Sequence, residues 1–353
     1  MSIEEIAAKS GCQTSTQLYA VMRLLARWGI GKEIENKHFK KNESMELLRR
    51  DKGPSLGHYF IYQSGDEHFS ALRSLGACVK HGKPSFVLTH GMDHFTYMYD
   101  LEKCYDQAKM FDGSSEHKIG SDERRSEFAE NYSSAMAKIT SLTLFPNKVD
   151  VKTVYSVFLW STCQKLADVG GSLGGFLASI LKLPGCEHIQ GYVLELPDVV
   201  KEAKSKIVDL RIPERRIEFL DYDFTKPIPS DLGLQADTVM FKNVLSMYAC
   251  DHKLMSKILS NCRNMFPSKG GRLLIIDYMV GNENDSNVGI NGFENDALSI
   301  HWLSISGIRL LTKQEWVENL KIAGGELGYQ MEAVHDTFPG GKAILELSYK
   351  PTE

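Results

Sequence analysis

The chain has 353 residues, 42% of them hydrophobic and 24% charged, with 41 basic against 45 acidic side chains and a net charge of −4. That supplies core material for about two soluble domains and excludes a global field that attracts polyanions, so no nucleic acid is expected as partner. Seven cysteines (12, 78, 104, 163, 186, 250 and 262) form no CxxC pair, which excludes a disulfide framework and a structural metal site as expectations.

The start, Met1-Ser2-Ile3-Glu4-Glu5, has neither the basic residues nor the apolar stretch of a secretory signal, and no apolar run reaches membrane length. A cytoplasmic protein without membrane contact is expected. Ile3, Ile6 and Ala7 share one helical face, and Leu18, Val21, Met22, Leu25 and Trp28 form a second stripe at three-to-four spacing. Gly11 separates the two helices and Gly29 stops the second. Residues 34–39 predict a small hairpin with Glu35-Asn36-Lys37 at its tip, which completes a winged-helix outline. Basic residues follow at Lys37, Lys40, Lys41, Arg49, Arg50 and Lys52, but Glu33, Glu35, Glu43 and Glu46 interleave with them. A solvated face is therefore preferred over a DNA-reading surface.

Residues 103–127 are polar and turn-rich and predict an excursion, after which helical spacing resumes through Tyr132, Met136 and Ile139. Beyond 160 the texture changes. Strands are predicted at 165–168, 189–195, 217–220, 238–242, 272–278 and 342–349, with helices at 175–182, 198–207, 252–265 and 312–323. Alternating strands and helices imply a mostly parallel α/β sheet covered on both faces. The domain expectation is a mainly helical region over 1–130 and a nucleotide-binding domain over 131–353.

The sharpest signal is Asp168-Val169-Gly170-Gly171-Ser172-Leu173-Gly174-Gly175, between a predicted strand and a predicted helix. The glycines permit a tight turn and let a ligand approach bare backbone. Glu195 ends the next strand, where a carboxylate can accept from both ribose hydroxyls. Asp168, ahead of the glycines, would repel the pyrophosphate of a dinucleotide, but it suits a ligand carrying an amino group and a sulfonium. The expected cofactor is thus S-adenosyl-L-methionine (SAM), or its demethylated form S-adenosyl-L-homocysteine (SAH). After the third strand come Asp221-Tyr222-Asp223-Phe224, where Asp223 could bond an adenine amine and Phe224 could pack on the ring.

In order, these landmarks resemble the SAM-dependent class I O-methyltransferases of secondary metabolism, the class of plant caffeate and flavonoid enzymes and of acetylserotonin methyltransferase. Further stretches similar to that family are Leu24-Leu25-Ala26-Arg27-Trp28-Gly29, His90-Gly91-Met92-Asp93-His94-Phe95, Tyr132-Ser133-Ser134-Ala135-Met136, Lys242-Asn243-Val244-Leu245 and Leu311-Thr312-Lys313-Gln314-Glu315-Trp316. The resemblance implies a Rossmann-like sheet, a winged-helix module that forms a homodimer, and a small-molecule substrate. It implies a cofactor site of Gly170, Glu195, Asp223, Phe224 and Lys242, and a substrate wall from Tyr132 to Met136 and across 289–310.

One departure matters most. The resemblance places a histidine base after the fourth strand and a glutamate that orients it. Here Ser246 and Leu310 occupy those positions. General-base help typically contributes about 10²–10⁴-fold, and a neutral serine cannot take a proton near pH 7 unaided. His252, a turn and a half beyond Ser246, reads as a surface residue. The wall segment carries Asn291, Asn295, Asp296, His301 and Arg309, and His301 or Trp302 falls where the family clamps an aromatic substrate. His301 is read either as a replacement base or as a structural histidine, and His90 as buried framework. Three activities stay open: methylation of a small aromatic or heterocyclic metabolite on O or N without the usual base, SAM-dependent chemistry of another kind such as cyclisation, and a silent regulatory role.

Overall fold

The computed structural model describes residues 1–51, 55–99, 122–143, 154–229, 232–281, 290–335 and 342–351. Its helices are α1 (Ile3–Ser10), α2 (Ser15–Arg27), α3 (Glu43–Glu46), α4 (Gly57–Gln63), α5 (Asp66–Arg73), α6 (Leu75–His81), α7 (Ser85–His90), α8 (His94–Tyr99), α9 (Asp122–Thr143), α10 (Gly175–Leu181), α11 (Pro197–Ser205), α12 (His252–Arg263), α13 (Ile290–Ser306) and α14 (Lys313–Gly324). Among the described residues, no helix is long and apolar enough to cross a membrane.

The described residues form two units, Met1–Gly65 with Asp122–Leu142, and Asp66–Ser121 with Thr143–Glu353. In the first, Ser2 and Glu5 exchange hydrogen bonds in a capping box that starts α1, and Ile3 and Ala7 are its buried face. Gly11 ends α1 in the left-handed region. The predicted stripe on α2 exists but is not core. None of its residues is buried, and Val21, Leu24 and Trp28 are 55%, 49% and 71% exposed. Periodicity reports an apolar face, not what covers it. The hairpin pairs Lys32–Ile34 (β1) with His38–Lys40 (β2) and turns through Asn36 and Lys37, both at positive φ. Nearby, Lys41 pairs with Glu46, and Arg49 with Glu46 and Asp51, so these basic side chains are locally neutralised.

The second unit is built on seven strands: β3 (Lys165–Val169), β4 (Gln190–Glu195), β5 (Ile217–Asp221), β6 (Thr238–Lys242), β7 (Gly271–Tyr278), β8 (Tyr329–His335) and β9 (Lys342–Tyr349), in the order β5-β4-β3-β6-β7-β9-β8. The first five run parallel, whereas β9 is antiparallel to both β7 and β8. Side chains alternate between two buried layers. Ala167, Val169, Val239, Phe241, Leu273 and Ile275 pack with Ile258 and Leu259 of α12 and Trp316 of α14. Leu166, Val193, Met240, Leu274 and Ile276 pack with Leu177, Ile180 and Leu181 of α10. Burial on both faces is why the strands read as continuous apolar runs.

Two expectations need correction. A strand at 329–335 was not foreseen, because Gln330 and Glu332 break its apolar content and a bulge lies between Met331 and Ala333. The polar excursion does not extend to 127, since α9 already begins at Asp122; residues 103–121 lie outside the described residues.

Candidate functional site

The strand order reverses on either side of β3, which opens a crevice at the carboxyl ends of the parallel strands. Asp168 and Val169 end β3, and the chain bends at Gly170 with φ +72°. The Gly170 N–H donates to the Leu194 carbonyl at 2.8 Å, tying the bend to β4. A Cβ at Gly170 would stand 2.7 Å from Val244 Cγ2, so bare backbone is required there. Ser172 follows at φ +52°, a left-handed conformation that side chains rarely adopt, and its N–H donates to Glu195 Oε1 at 3.1 Å.

The Glu195 Oε2 accepts from the Leu196 N–H at 2.9 Å. Each carboxylate oxygen retains a second lone pair for a ligand hydroxyl. Burial raises the Glu195 carboxyl above its ordinary value, opposed by the Leu196 and Ser172 N–H groups. Asp168 is fully buried, and its Oδ1 has no hydrogen-bond partner. Burial pushes it up to about 7, with Lys242 pulling it down and Glu195 adding to the rise. The Lys242 ammonium, at the end of β6, stands 4.8 Å from the Phe176 ring centre.

Asp223, beyond β5, accepts at Oδ1 from the Thr225 N–H at 3.0 Å and from the Thr225 hydroxyl at 2.6 Å, and pairs through Oδ2 with Lys226 at 3.2 Å. Burial pushes its carboxyl up, but the Thr225 and Lys226 donors outweigh this and hold it below the usual range. The Phe224 ring meets Phe241 and Tyr248 edge-on, at 5.8 and 5.6 Å, and the Asn261 amide donates to its carbonyl at 3.0 Å. Asp168, Gly170, Glu195, Asp223 and Lys242 thus all lie at or just past carboxyl ends of neighbouring parallel strands.

Past β6 the chain turns at Asn243, with φ +56°, into a short 3-10 turn that holds Ser246. Ser246 is buried, and its N–H donates to Asp277 Oδ2 at 3.0 Å. The Asp277 Oδ1 accepts from the Tyr278 N–H at 2.9 Å. Asp277 is a residue that sequence reasoning missed. The available signal was an acid closing the apolar run Leu273–Ile276 at a strand's carboxyl end, where α/β sheets concentrate their chemistry. Leu310 is buried and its N–H donates to Ser299 Oγ at 3.0 Å, while Arg309 forks onto Glu315. His252 opens α12, with Asp251 as its cap.

His301 lies on α13, half-buried, and burial lowers its imidazole to about 4. Its ring meets His68 of α5 at 5.0 Å and 84°, and Trp302 at 6.4 Å. His68 Nε2 lies 3.3 Å from His94 Nε2, so one ring donates and the other accepts. Burial first, and His301 next, lower His94 to about 3. His90 is buried and donates from Nε2 to the Glu67 carbonyl at 2.9 Å. No sequence pattern could bring His68 to His301, because they lie on separate helices far apart in the chain. Asp296 is exposed and Trp302 half-buried on α13. Tyr132 is a half-buried residue of the first unit, 5.2 Å from the Tyr62 ring. The side chains of Met136, Asn291 and Asn295 lie outside the described residues. Among the described residues, no three His, Cys, Asp or Glu side chains converge to hold a metal.

A family described as the O-methyltransferase domain matches residues 113–326. Among curated relatives, aclacinomycin 10-hydroxylase RdmB of Streptomyces purpurascens is 32% identical over 191 residues, covering 54% of this chain and 47% of its own length. Xanthohumol 4-O-methyltransferase of Humulus lupulus is 27% identical over 260 residues, covering 73% and 58%. The chain therefore spans about half the length of these relatives. Among solved structures, CalO1, a methyltransferase of calicheamicin biosynthesis in its SAH-bound form, superposes with a TM-score of 0.71 at 21% identity, covering 100% of this chain and 88% of its own. That likeness shows a shared fold.

Proposed function

This chain belongs to the O-methyltransferase domain family, and from that premise we propose that it transfers a methyl group from SAM to a small aromatic or heterocyclic metabolite, on oxygen or nitrogen, without an imidazole at the usual base position. The observation that carries the cofactor reading is Asp168: a buried carboxyl with a vacant oxygen, set against backbone where a Cβ at Gly171 would stand 2.7 Å away. A cationic, amino-bearing ligand supplies what that oxygen lacks, whereas a pyrophosphate would be repelled. When bound, SAM supplies an electrophilic methyl carbon on a positive sulfur.

The chain's own groups divide the remaining work. Asp168 faces the ligand's ammonium, and the Glu195 oxygens take the ribose hydroxyls on their free lone pairs. Asp223 takes the adenine amine and Phe224 supports the ring, while Lys242 balances the charge of Asp168. Substrate orientation rests on α13 through His301, Trp302 and Asp296. Ser246 lines the base position without titrating. His301 is neutral at pH 7, because burial holds it near 4, and the same burial makes it a weak base. Methyl transfer then depends mainly on proximity and in-line alignment. The working form is proposed to be a cytoplasmic homodimer, supported by the exposed apolar stripe of α2 and by free thiols at all six described cysteines.

A second reading, in which SAM is held for chemistry other than methyl transfer, is favoured by one pair of facts. Serine and leucine stand where the base and its partner acid are expected, and one relative is named a hydroxylase. Incubation with methyl-labelled SAM and candidate phenols and amines separates the two. Label in product supports transfer, unlabelled product supports the second reading, and SAM binding with no product at all leaves a regulatory protein.

A further inference from the structure

The Asp168 carboxyl sits fully buried at the tip of β3, its Oδ1 without a donor. Its Cγ and Oδ2 would each lie 2.7 Å from a Cβ at Gly171, so the backbone closes over it on that side. Two charged groups from neighbouring strands act on it, Glu195 on β4 by repulsion and Lys242 on β6 by attraction. The lysine's ammonium is drawn over the Phe176 ring. A carboxylate there lacks the donors that normally hold a buried charge.

We infer that cofactor binding is coupled to the release of one proton from Asp168: the empty site holds this carboxyl neutral, and the ligand's ammonium draws it into its charged form as the proton passes to the buffer. This rests on the SAM reading proposed above. The balance is a neutral carboxylic acid plus an ammonium ligand giving a carboxylate–ammonium pair plus one solvated proton. Burial, which pushes the Asp168 carboxyl up to about 7, agrees with a neutral form on the acid side of neutrality. The α-amino group of a peptide titrates at about 7.7–8.0, and that of SAH, beside a free carboxylate, titrates higher still. Below pH 7 the ligand therefore arrives already charged and the only proton moved is that of Asp168. Well above pH 8 the carboxyl is already ionised, and the ligand's amine picks up a proton on binding instead.

The test is titration calorimetry of the intact chain with SAH, which retains the amino group but cannot react, in pairs of buffers of unlike ionisation enthalpy. At about pH 6 close to one proton should be released, and at about pH 8.5 release should fall close to zero. The dissociation constant should rise about tenfold for each pH unit below 7. 5′-Methylthioadenosine, which lacks the amino and carboxyl groups, should bind with no proton released, a control that needs no variant. Asp168→Asn, checked for folding by circular dichroism, should bind SAH more weakly and release none. Equal heats in both buffers at pH 6, or undiminished release by Asp168→Asn, would overturn the coupling and leave the cofactor reading standing. No heat from either ligand at any pH would sink both.

Discussion

Replacing Asp277 by asparagine should loosen the turn that carries Ser246, although the two side chains are nearly the same size. In the native protein each carboxyl oxygen accepts one backbone N–H, Oδ2 from Ser246 and Oδ1 from Tyr278, and the residue is fully buried. An amide keeps only one acceptor oxygen, and whichever N–H loses its acceptor meets an NH₂ donor instead. A buried donor left unsatisfied costs about 1–3 kcal/mol, so roughly 2 kcal/mol is expected for Asp277→Asn and about twice that for Asp277→Ala, which strands both groups. Amide hydrogen exchange read at Ser246 and Tyr278 is the direct assay. A local loss of about 2 kcal/mol speeds exchange about 30-fold at one of the two amides. If Asp277→Asn leaves both rates within about twofold of the parent, the two-oxygen account of this turn is wrong.

Gly170→Ala should cost about 1–3 kcal/mol in urea unfolding and weaken SAH binding, since alanine is strained at φ +72° and its Cβ meets Val244. Asp168→Asn should stabilise the empty protein at alkaline pH. The Asp168 carboxyl sits at about 7 when folded and near 4 when unfolded, so its favourable contribution is complete below pH 4 and lost as pH rises through 7. The variant should gain at most about 4 kcal/mol at pH 8 and nothing at pH 4; a Tm difference independent of pH would refute this. His94 and His301 behave oppositely. Folded values of about 3 and about 4 lie below the ordinary 6.5, so stability is intact above pH 6.5 and falls as pH drops toward 4. His94→Asn should flatten that acid limb in pH-dependent melting by about 1 kcal/mol or more. Finally, the double variant Ser246→His, Leu310→Glu should raise phenol O-methylation about 10²-fold, measured with labelled SAM, while destabilising the fold because Leu310 is buried.

The strand–turn–helix–strand run that carries Asp168, Gly170 and Glu195 was legible because its signals are local: an apolar strand, a glycine turn at positive φ and a second apolar strand follow one another directly. The strands around it were legible because apolar runs buried on both faces leave little ambiguity. The surroundings of His301 were not. The contact of His301 with His68 joins α13 to α5, and no periodicity spans such a separation. Asp277 was hidden for another reason: it accepts two main-chain donors, and bonds to backbone leave no mark in the sequence. β8 was missed because an edge strand with exposed polar residues resembles a loop. The α2 stripe was seen as apolar, and among the described residues it stays uncovered, because periodicity reports a face and not what covers it.

The place of β9 carries a consequence for how this molecule is made. Although it is the last strand along the chain, it is threaded between β7 and β8 and hydrogen-bonded to both. On a ribosome, β7 must wait with an open edge through the synthesis of α13, α14 and β8, and β8 has no strand to pair with until residues 342–349 arrive. The nucleotide crevice, built from strands made earlier, can therefore take shape while the far side of the sheet is still unsealed. Ligand present during translation would meet a receptive half-molecule before the whole has closed.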